Sequence, residues 1–298
     1  MKIEIRDLNQ IYRNGNHALK DVTLDIENGM FGLLGPNGAG KSTLMRILVT
    51  LMKQTSGTVF IDGRDIHKNR RQVRKILGYL PQDFRFFTAL KTWEFLDYSG
   101  ALAGIRDRKM RMAEVDSLLE KVGLFEARDR RANRLSGGMK RRLGIAQALI
   151  GNPRLIIVDE PTTGLDPDER IRFRNILSDL SQSNDVIIVL STHIVGDISS
   201  TCQTMALLNK GEVVYSGSPE KLVEKANGHV YNISVTVEEY ELIKDKYHII
   251  STIPTDIGWD VQIVSNEKPR YDSSEIQPDL EHAYVYFMEM ETMGNENV

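Results

Sequence analysis

Residues 35–43 have the types and spacing to hold phosphate. Gly35, Pro36, Asn37, Gly38, Ala39, Gly40, Lys41, Ser42 and Thr43 read G-x-x-x-x-G-K-[ST] plus one further threonine. In such a loop the glycines let the backbone curl until successive N–H groups face one anion. A helix expected to start near Lys41 adds the positive end of its dipole. Lys41 suits the β- and γ-phosphates of a nucleoside triphosphate as a point charge, and Ser42 can offer its hydroxyl to Mg²⁺. A second set of chemical groups ends the apolar run LIIVDE, residues 155–160. Asp159 is expected to reach Mg²⁺ through water. Glu160 is expected to orient or deprotonate an attacking water, a role worth roughly a hundred- to ten-thousand-fold in rate.

These groups need a frame that brings residue 41 beside residue 160. MFGLLG, just before the loop, reads as a short buried strand, and TLMRILVTLM after it as a helix. LIIVD and VIIVLST are continuous β-branched runs too short for helices, the pattern of buried parallel strands. KIEIRDLNQIY alternates and reads as a half-buried strand. HALKDVTLDI follows the Asn14-Gly15 turn and reads as another. Met112, Val115, Leu118, Leu119 and Val122 fall at helical spacing, with Gly123 closing that helix. Residues 141–150 are helical in pattern and end at Gly151 and Pro153. Strands alternating with helices imply an α/β fold, a mostly parallel sheet covered on both faces.

The pattern resets after residue 225. Before it, GEVVYSG reads as a hairpin-like pair, and SPEKLVEKA as a short helix capped by Ser218 with Pro219 at its first position. After it come strand VYNISVTV, helix EEYELIKDK, strands near HIISTI and WDVQIV, and helix DLEHAYVYFMEM. The expected organisation is a large domain over 1–225, with a helical subdomain near 85–150, and a small α+β domain over 226–298.

Composition agrees with such an arrangement. The 298 residues are 41% hydrophobic and 27% charged, ordinary for a globular chain. The longest apolar runs fall far short of the roughly 20 residues that cross a bilayer. The start, MKIEIRDLNQ, carries charges where a signal peptide would be apolar, so a cytoplasmic location is expected. One cysteine, Cys202, excludes an intramolecular disulfide and a CxxC zinc site. From Gly228 onward there are 4 Lys/Arg against 14 Asp/Glu, leaving 34 against 27 before it. The first part is thus basic, which suits a phosphate ligand or a nearby anionic leaflet, and the tail acidic, which reads as a solvated surface.

LSGGM, residues 135–139, carries the resemblance that organises the rest. It resembles the signature motif of ATP-binding cassette ATPases, and the family's other elements follow in the family's order. The phosphate loop resembles Walker A, and Gln82 in YLPQDF resembles the Q-loop. LIIVDE resembles Walker B, Asp166 in GLDP the D-loop, and His193 in STH the switch histidine. The resemblance covers about residues 1–222. It implies a P-loop NTPase cassette: a mostly parallel core sheet, an antiparallel β subdomain and a helical signature subdomain, with the α+β appendage added.

For the site, the resemblance implies that Tyr12 stacks on adenine and that Gln82 contacts Mg²⁺ and water. It implies that His193 polarises the γ-phosphate. Leu135, Ser136, Gly137, Gly138 and Met139 would complete the ATP site of an opposite subunit, so that two cassettes sandwich two nucleotides. Two adjacent glycines at a helix start offer N–H groups to an anion, and Ser136 adds a hydroxyl. Met139 departs from the family's usual Gln, a form familiar in exporter-like subfamilies.

The resemblance further implies a transporter subunit on the cytoplasmic face of the membrane, joined to a separate permease and to a second cassette, with no nucleic-acid partner. Phe84, Phe86, Phe87, Trp93 and Phe95 in DFRFFTALKTWEFLDY are expected both to pack the helical subdomain and to receive a partner helix. The basic run over residues 67–75 reads as a solvated face. The LSGGMKRRL form and the ending LEHAYVYFMEM resemble cassettes of drug, bacteriocin and lantibiotic-immunity exporters. Translation-factor relatives carry two cassettes, DNA-repair relatives carry long insertions, and iron–sulfur assembly relatives lack the appendage. A cassette that binds ATP without turnover is disfavoured by Glu160 and His193 together.

Overall fold

The computed structural model describes residues 1–87, 89–182 and 185–295. They form two compact units, 1–216 and 217–298.

The first unit opens with β1 (Lys2–Ile11) and β2 (His17–Glu27), antiparallel, with Ile3 opposite Ile26 and Ile5 opposite Leu24. The alternation in KIEIRDLNQIY becomes a buried face of Ile3, Ile5 and Leu8. Each such side chain contributes about 1.5–3 kcal/mol when withdrawn from water. Next come β3 (Gly29–Leu34), α1 (Lys41–Leu48), β4 (Ser56–Ile61), β5 (Arg64–Asp65), α2 (Arg70–Lys75) and β6 (Leu77–Leu80). Helices α3 (Thr92–Leu102), α4 (Arg108–Lys121) and α5 (Gly137–Leu149) make the helical region. The unit continues through β7 (Leu155–Asp159), α6 (Pro167–Ser181), β8 (Ile187–Thr192), α7 (Val195–Ser199), β9 (Thr204–Asn209) and β10 (Glu212–Gly217).

Two sheets result. One has the order β2-β1-β4-β5 and is antiparallel. The other has the order β10-β9-β3-β8-β7-β6 and is parallel from β9 through β6. The phosphate loop leaves the end of β3, and the two acids follow from β7, separated from β3 only by β8. Residues 41 and 160 therefore meet because their strands end on the same edge of a parallel sheet, where ligands of open α/β sheets bind.

The second unit holds α8 (Pro219–Glu224), β11 (Val230–Thr236), α9 (Val237–Ile243), β12 (His248–Pro254), β13 (Gly258–Val264), β14 (Ser273–Glu275) and α10 (Leu280–Asn295). Its sheet is antiparallel, in the order β12-β13-β11-β14. Ile233, Ile243, Val261 and Ile263 are its buried centre. Thr236 and Glu239 cap α9 reciprocally: Thr236 Oγ1 accepts from the Glu239 amide at 3.2 Å, and Glu239 Oε2 from the Thr236 amide at 2.8 Å.

The structure corrects several boundaries. The division falls at Ser216/Gly217 rather than after 225, because α8 packs on α10 and so belongs with the second unit. GEVVYSG is one strand, β10. Its neighbour is β9, across a turn in which Lys210 and Gly211 take φ of 46° and 91°. Helix α4 begins at Arg108, where the Asp107 side chain accepts from the Met110 amide, and α5 begins at Gly137, the helix start expected at the signature glycines, four residues ahead of the stretch 141–150. Thr88, inside the aromatic segment, lies outside the described residues.

Candidate active site

The phosphate loop is shaped by what cannot fit beside it. A Cβ on Gly35 would lie 2.1 Å from the Leu208 carbonyl oxygen. Gly40 has φ +107°, and a Cβ there would meet the Ala18 carbonyl at 2.5 Å. Only glycine allows both the close approach and the left-handed turn. The Gly211 amide donates to the Ala39 carbonyl at 3.0 Å and pins the loop to the β9–β10 turn.

Lys41, at the first position of α1, is 5% exposed. Its ammonium donates to the Gly35 carbonyl at 2.6 Å and the Pro36 carbonyl at 3.1 Å, and lies 3.3 Å from Glu160 Oε1. Glu160 is 4% exposed and sits just past β7 at φ +49°, an uncommon conformation for a non-glycine residue. Its amide is held by the Ser191 carbonyl at 3.1 Å and by Ser191 Oγ at 3.2 Å. Its second carboxylate oxygen, Oε2, accepts from Thr163 Oγ1 at 3.0 Å and lies 2.5 Å from His193 Nδ1. One buried carboxylate thus bridges the phosphate-loop lysine and the histidine after β8.

Asp159 is 3% exposed, and its Oδ1 accepts from Ser191 Oγ at 2.5 Å and from Ser42 Oγ at 3.4 Å. Tyr12 places its hydroxyl 2.9 Å from Thr43 Oγ1. A cavity of about 300 Å³ is lined by Tyr12, residues 37–43, Gln82 and Glu160, among others. The structure therefore brings Tyr12, the phosphate loop, Gln82 and Glu160 to one place.

Residues 135–139 line a different surface. None of them lines that cavity. Ser136 caps α5, accepting from the Met139 amide at 3.2 Å, and is exposed, as is Gly137. A Cβ on Gly137 would meet nothing within 4 Å, whereas one on Gly138 would collide with Glu169. Leu135 is buried and Met139 half-buried. Asp166 caps α6, accepting from the Glu169 amide at 2.8 Å, and is exposed.

Several residues that position the site escaped the sequence reading. Arg141 is the foremost. Its guanidinium donates to the main-chain oxygens of Pro161 at 2.6 Å, Gln82 at 2.8 Å and Pro81 at 3.3 Å, and also to that of Glu160. Burial pulls this guanidinium below the ordinary arginine range, against the attraction of Asp159, Asp83 and Glu160. Behind the site, Asp197 is 2% exposed and its Oδ2 accepts from Thr162 Oγ1 at 2.5 Å and from Thr192 Oγ1 at 3.4 Å. It thereby ties the chain after Glu160 to the chain before His193. Carbonyl partners leave no mark in side-chain chemistry, so the only signal for Arg141 was its place in α5.

The aromatic segment divides its labour. Phe84 and Phe86 meet the buried Phe95 edge-on, with centroids 6.1 and 6.4 Å away, whereas Phe87 is 58% exposed and touches Tyr98. In the basic run, Arg70 and Arg74 donate to Thr50 at the end of α1, so these two side chains anchor α2 rather than only facing water.

With the geometry in place, comparison with known proteins is informative. The family described as ABC transporter matches residues 19–163. The chain is 33% identical over 252 residues to the uncharacterized ABC transporter ATP-binding protein YxlF of Bacillus subtilis, covering 84% of this chain and 82% of that one. It is 35% identical over 242 residues to the phosphonates import ATP-binding protein PhnC 2 of a Synechococcus species, covering 77% of this chain and 90% of that one. Among solved structures, the dimeric ATP-binding cassette MJ0796 in a post-hydrolysis state with ADP and Pi superposes with a TM-score of 0.66 at 26% identity. That match covers 72% of this chain and 98% of the other.

Proposed function

This chain belongs to the ABC transporter ATP-binding proteins, and on that premise we propose that Lys41, Ser42, Asp159, Glu160 and His193 form one half of an ATP-hydrolysing site that a second cassette completes. The observation that carries this reading is the carboxylate of Glu160, buried beside the phosphate loop with Lys41 on one oxygen and His193 on the other.

An incoming γ-phosphate competes with Glu160 for Lys41. It takes the ammonium and frees Glu160 to accept a proton from water. The water oxygen bonds the γ-phosphorus, the bond from that phosphorus to the β-bridging oxygen breaks, and ADP and phosphate leave. His193, held by Glu160 through Nδ1, orients toward the γ-phosphate. Tyr12 offers its ring to adenine beside Thr43. Ser42 Oγ and Asp159 Oδ1, with Gln82 on the same cavity, are the oxygen donors that Mg²⁺ prefers. When bound, that ion neutralises charge on the phosphate oxygens.

The exposed Ser136 and Gly137, at the start of a 13-residue helix, have the donors to close on the γ-phosphate of a partner cassette's ATP. Asp166 lies on the exposed start of α6 for the same contact. ATP then joins two cassettes and hydrolysis parts them. Among the described residues no helix is long and apolar enough to cross a membrane, and we assign coupling to transport to a separate permease. The exposed Phe87 is the side chain of the aromatic segment best placed for that partner. We assign the cassette to the cytoplasmic face and to an exporter. The direction rests on the LSGGMKRRL form and the LEHAYVYFMEM ending alone; relatives at this level of identity include three named for import.

The test is a pull-down of tagged Glu160→Gln protein from detergent-solubilised membranes with ATP and Mg²⁺, read by mass spectrometry. Recovery of a multi-spanning permease is expected. Recovery of ribosomal, DNA-repair or soluble partners alone overturns the transport reading.

A further inference from the structure

The stretch from residue 228 onward is acid-rich, yet its cations are not scattered. From Gly228 onward the sequence holds 4 Lys/Arg against 14 Asp/Glu. Lys244 is paired with Glu241. The other three, Lys246, Lys268 and Arg270, all line one cavity of about 420 Å³. Among the described residues none of the three enters an ion pair. Gathering like charges on one rim, with many acids available elsewhere, raises the local potential and is relieved by an anion.

The rim is built rather than loose. Lys246 follows α9, its amide donating to the Ile243 carbonyl at 2.9 Å. The loop carrying Lys268 and Arg270 is held at Ser265, whose amide donates to the His229 carbonyl at 2.9 Å and whose Oγ donates to the Glu267 carbonyl at 2.7 Å. Pro269, between the two cations, is buried. Tyr247 and Tyr286 add flat aromatic surface. Tyr286 is itself fixed by stacking on His229 at 4.5 Å and by its hydroxyl on Asn266 at 3.1 Å. Two carboxylates share the lining, Glu267 and Glu289, and Glu289 engages His248 at 3.4 Å.

We propose that this cavity of the second unit binds a phosphoryl-bearing anion of nucleotide size, at a site distinct from the cassette's own ATP site. Three cations outnumber the two lining carboxylates, Glu267 and Glu289, and the second of these also engages His248. The Arg270 fork and two lysine ammoniums suit phosphoryl oxygens, and the tyrosine rings suit a planar group or a sugar face. The volume lies within the roughly 300–1,000 Å³ of small-molecule sites. Such a ligand would give the appendage a sensing role that the ATP site alone does not supply. A soluble phosphorylated metabolite and a lipid headgroup present the same chemistry, and the experiment separates them.

Hydrogen–deuterium exchange on the full chain reads the two sites independently, through peptides covering 35–43 and 264–270. The probes are sodium pyrophosphate, AMP, and phosphatidylglycerol–phosphatidylcholine vesicles against pure phosphatidylcholine. Protection of 264–270 by pyrophosphate or AMP, lost at high salt, is expected for a soluble ligand. Protection by the anionic vesicles alone supports a headgroup. In Lys268→Glu/Arg270→Glu the half-maximal concentration should rise roughly tenfold or more, the cost of losing charge-assisted hydrogen bonds. Exchange over 35–43 should not change in that variant. Lys246→Gln, on a different segment, should weaken binding in the same direction and guards against local misfolding in the double variant. No protection of 264–270 with any probe, or equal protection in wild type and both variants, overturns the proposal.

Discussion

Arg141, in the helix that begins at the signature glycines, donates to the main-chain oxygen of Gln82 at 2.8 Å. The same guanidinium also holds the main-chain oxygens of Pro161 and Glu160. A single side chain therefore clamps three segments of the site: the signature helix, the Q-loop and the end of β7. Arg141→Ala leaves these carbonyls without their donor. It should cost roughly 1–3 kcal/mol of stability in urea denaturation. ATP turnover should fall about tenfold, as ~1.4 kcal/mol on the barrier requires, with nucleotide affinity little changed. Arg141→Lys keeps the charge but not the planar fork and should fall between. Wild-type turnover and stability in the alanine variant would show that the clamp is idle.

Glu160→Gln keeps the size of the side chain and removes the proton acceptor. Turnover should drop roughly a hundred- to ten-thousand-fold. ATP should still bind, and size-exclusion chromatography with ATP should show an accumulated dimer. Unchanged turnover would refute the base assignment.

Lys41→Ala removes the cation from the loop and leaves Glu160 Oε1 without it. ATP affinity measured by titration should weaken by tenfold or more, since each hydrogen bond to a charged group contributes about 1.5–3 kcal/mol, and turnover should vanish with it. Near-normal affinity would contradict the phosphate role.

Gly35 and Gly137 should respond oppositely to alanine. A methyl at Gly35 strikes the Leu208 carbonyl, so the melting temperature should fall with a loss of about 1–3 kcal/mol. A methyl at Gly137 meets open space in the first turn of α5, so stability should hold or rise by up to about 1 kcal/mol. If that surface closes on a partner's nucleotide, ATP-dependent dimerisation should fall all the same. Parallel melts and dimerisation assays on both variants distinguish a packing glycine from a docking one.

Cys202 is 7% exposed, and burial pushes its thiol up to about 12, with Thr201 nearby opposing the shift. At pH 8 the native thiol is therefore neutral and shielded, and a disulfide reagent such as DTNB should leave it unmodified. In denaturant, where the group returns toward its ordinary value, one equivalent should react. Rapid labelling of the native chain would show that α7 opens readily.

The parallel sheet and the phosphate loop were legible because their signals are local. LIIVD and VIIVLST bury both faces, and Gly35 and Gly40 stand where a Cβ would strike backbone. Glu160 and His193 were legible as types, but their direct contact was not, because it depends on β7 and β8 lying side by side in register at Asp159 and Ser191. Arg141 and Asp197 were silent for a related reason. One binds main-chain oxygens and the other two threonines, and partners of those kinds recur everywhere in a sequence. The start of α5 was legible only through the signature motif, because Gly137 and Gly138 weigh against a helix and the helical pattern alone is clear from residue 141 onward. Ser136 as its cap offsets that propensity. The boundary at 225 was misplaced because α8 looks locally like an ordinary continuation of β10, and only its packing on α10 assigns it.

The absence of residues 135–139 from the chain's own phosphate cavity has a kinetic consequence. With the proposed two-cassette site, saturating ATP cannot by itself saturate turnover, since the second reactant is another cassette. In dilute solution the rate per chain should climb with protein concentration. A permease that tethers two cassettes replaces that dependence with an effective local concentration, in the millimolar range for short flexible tethers. The membrane partner would then act as an activator without touching the nucleotide, and its loss would idle the enzyme by dilution alone.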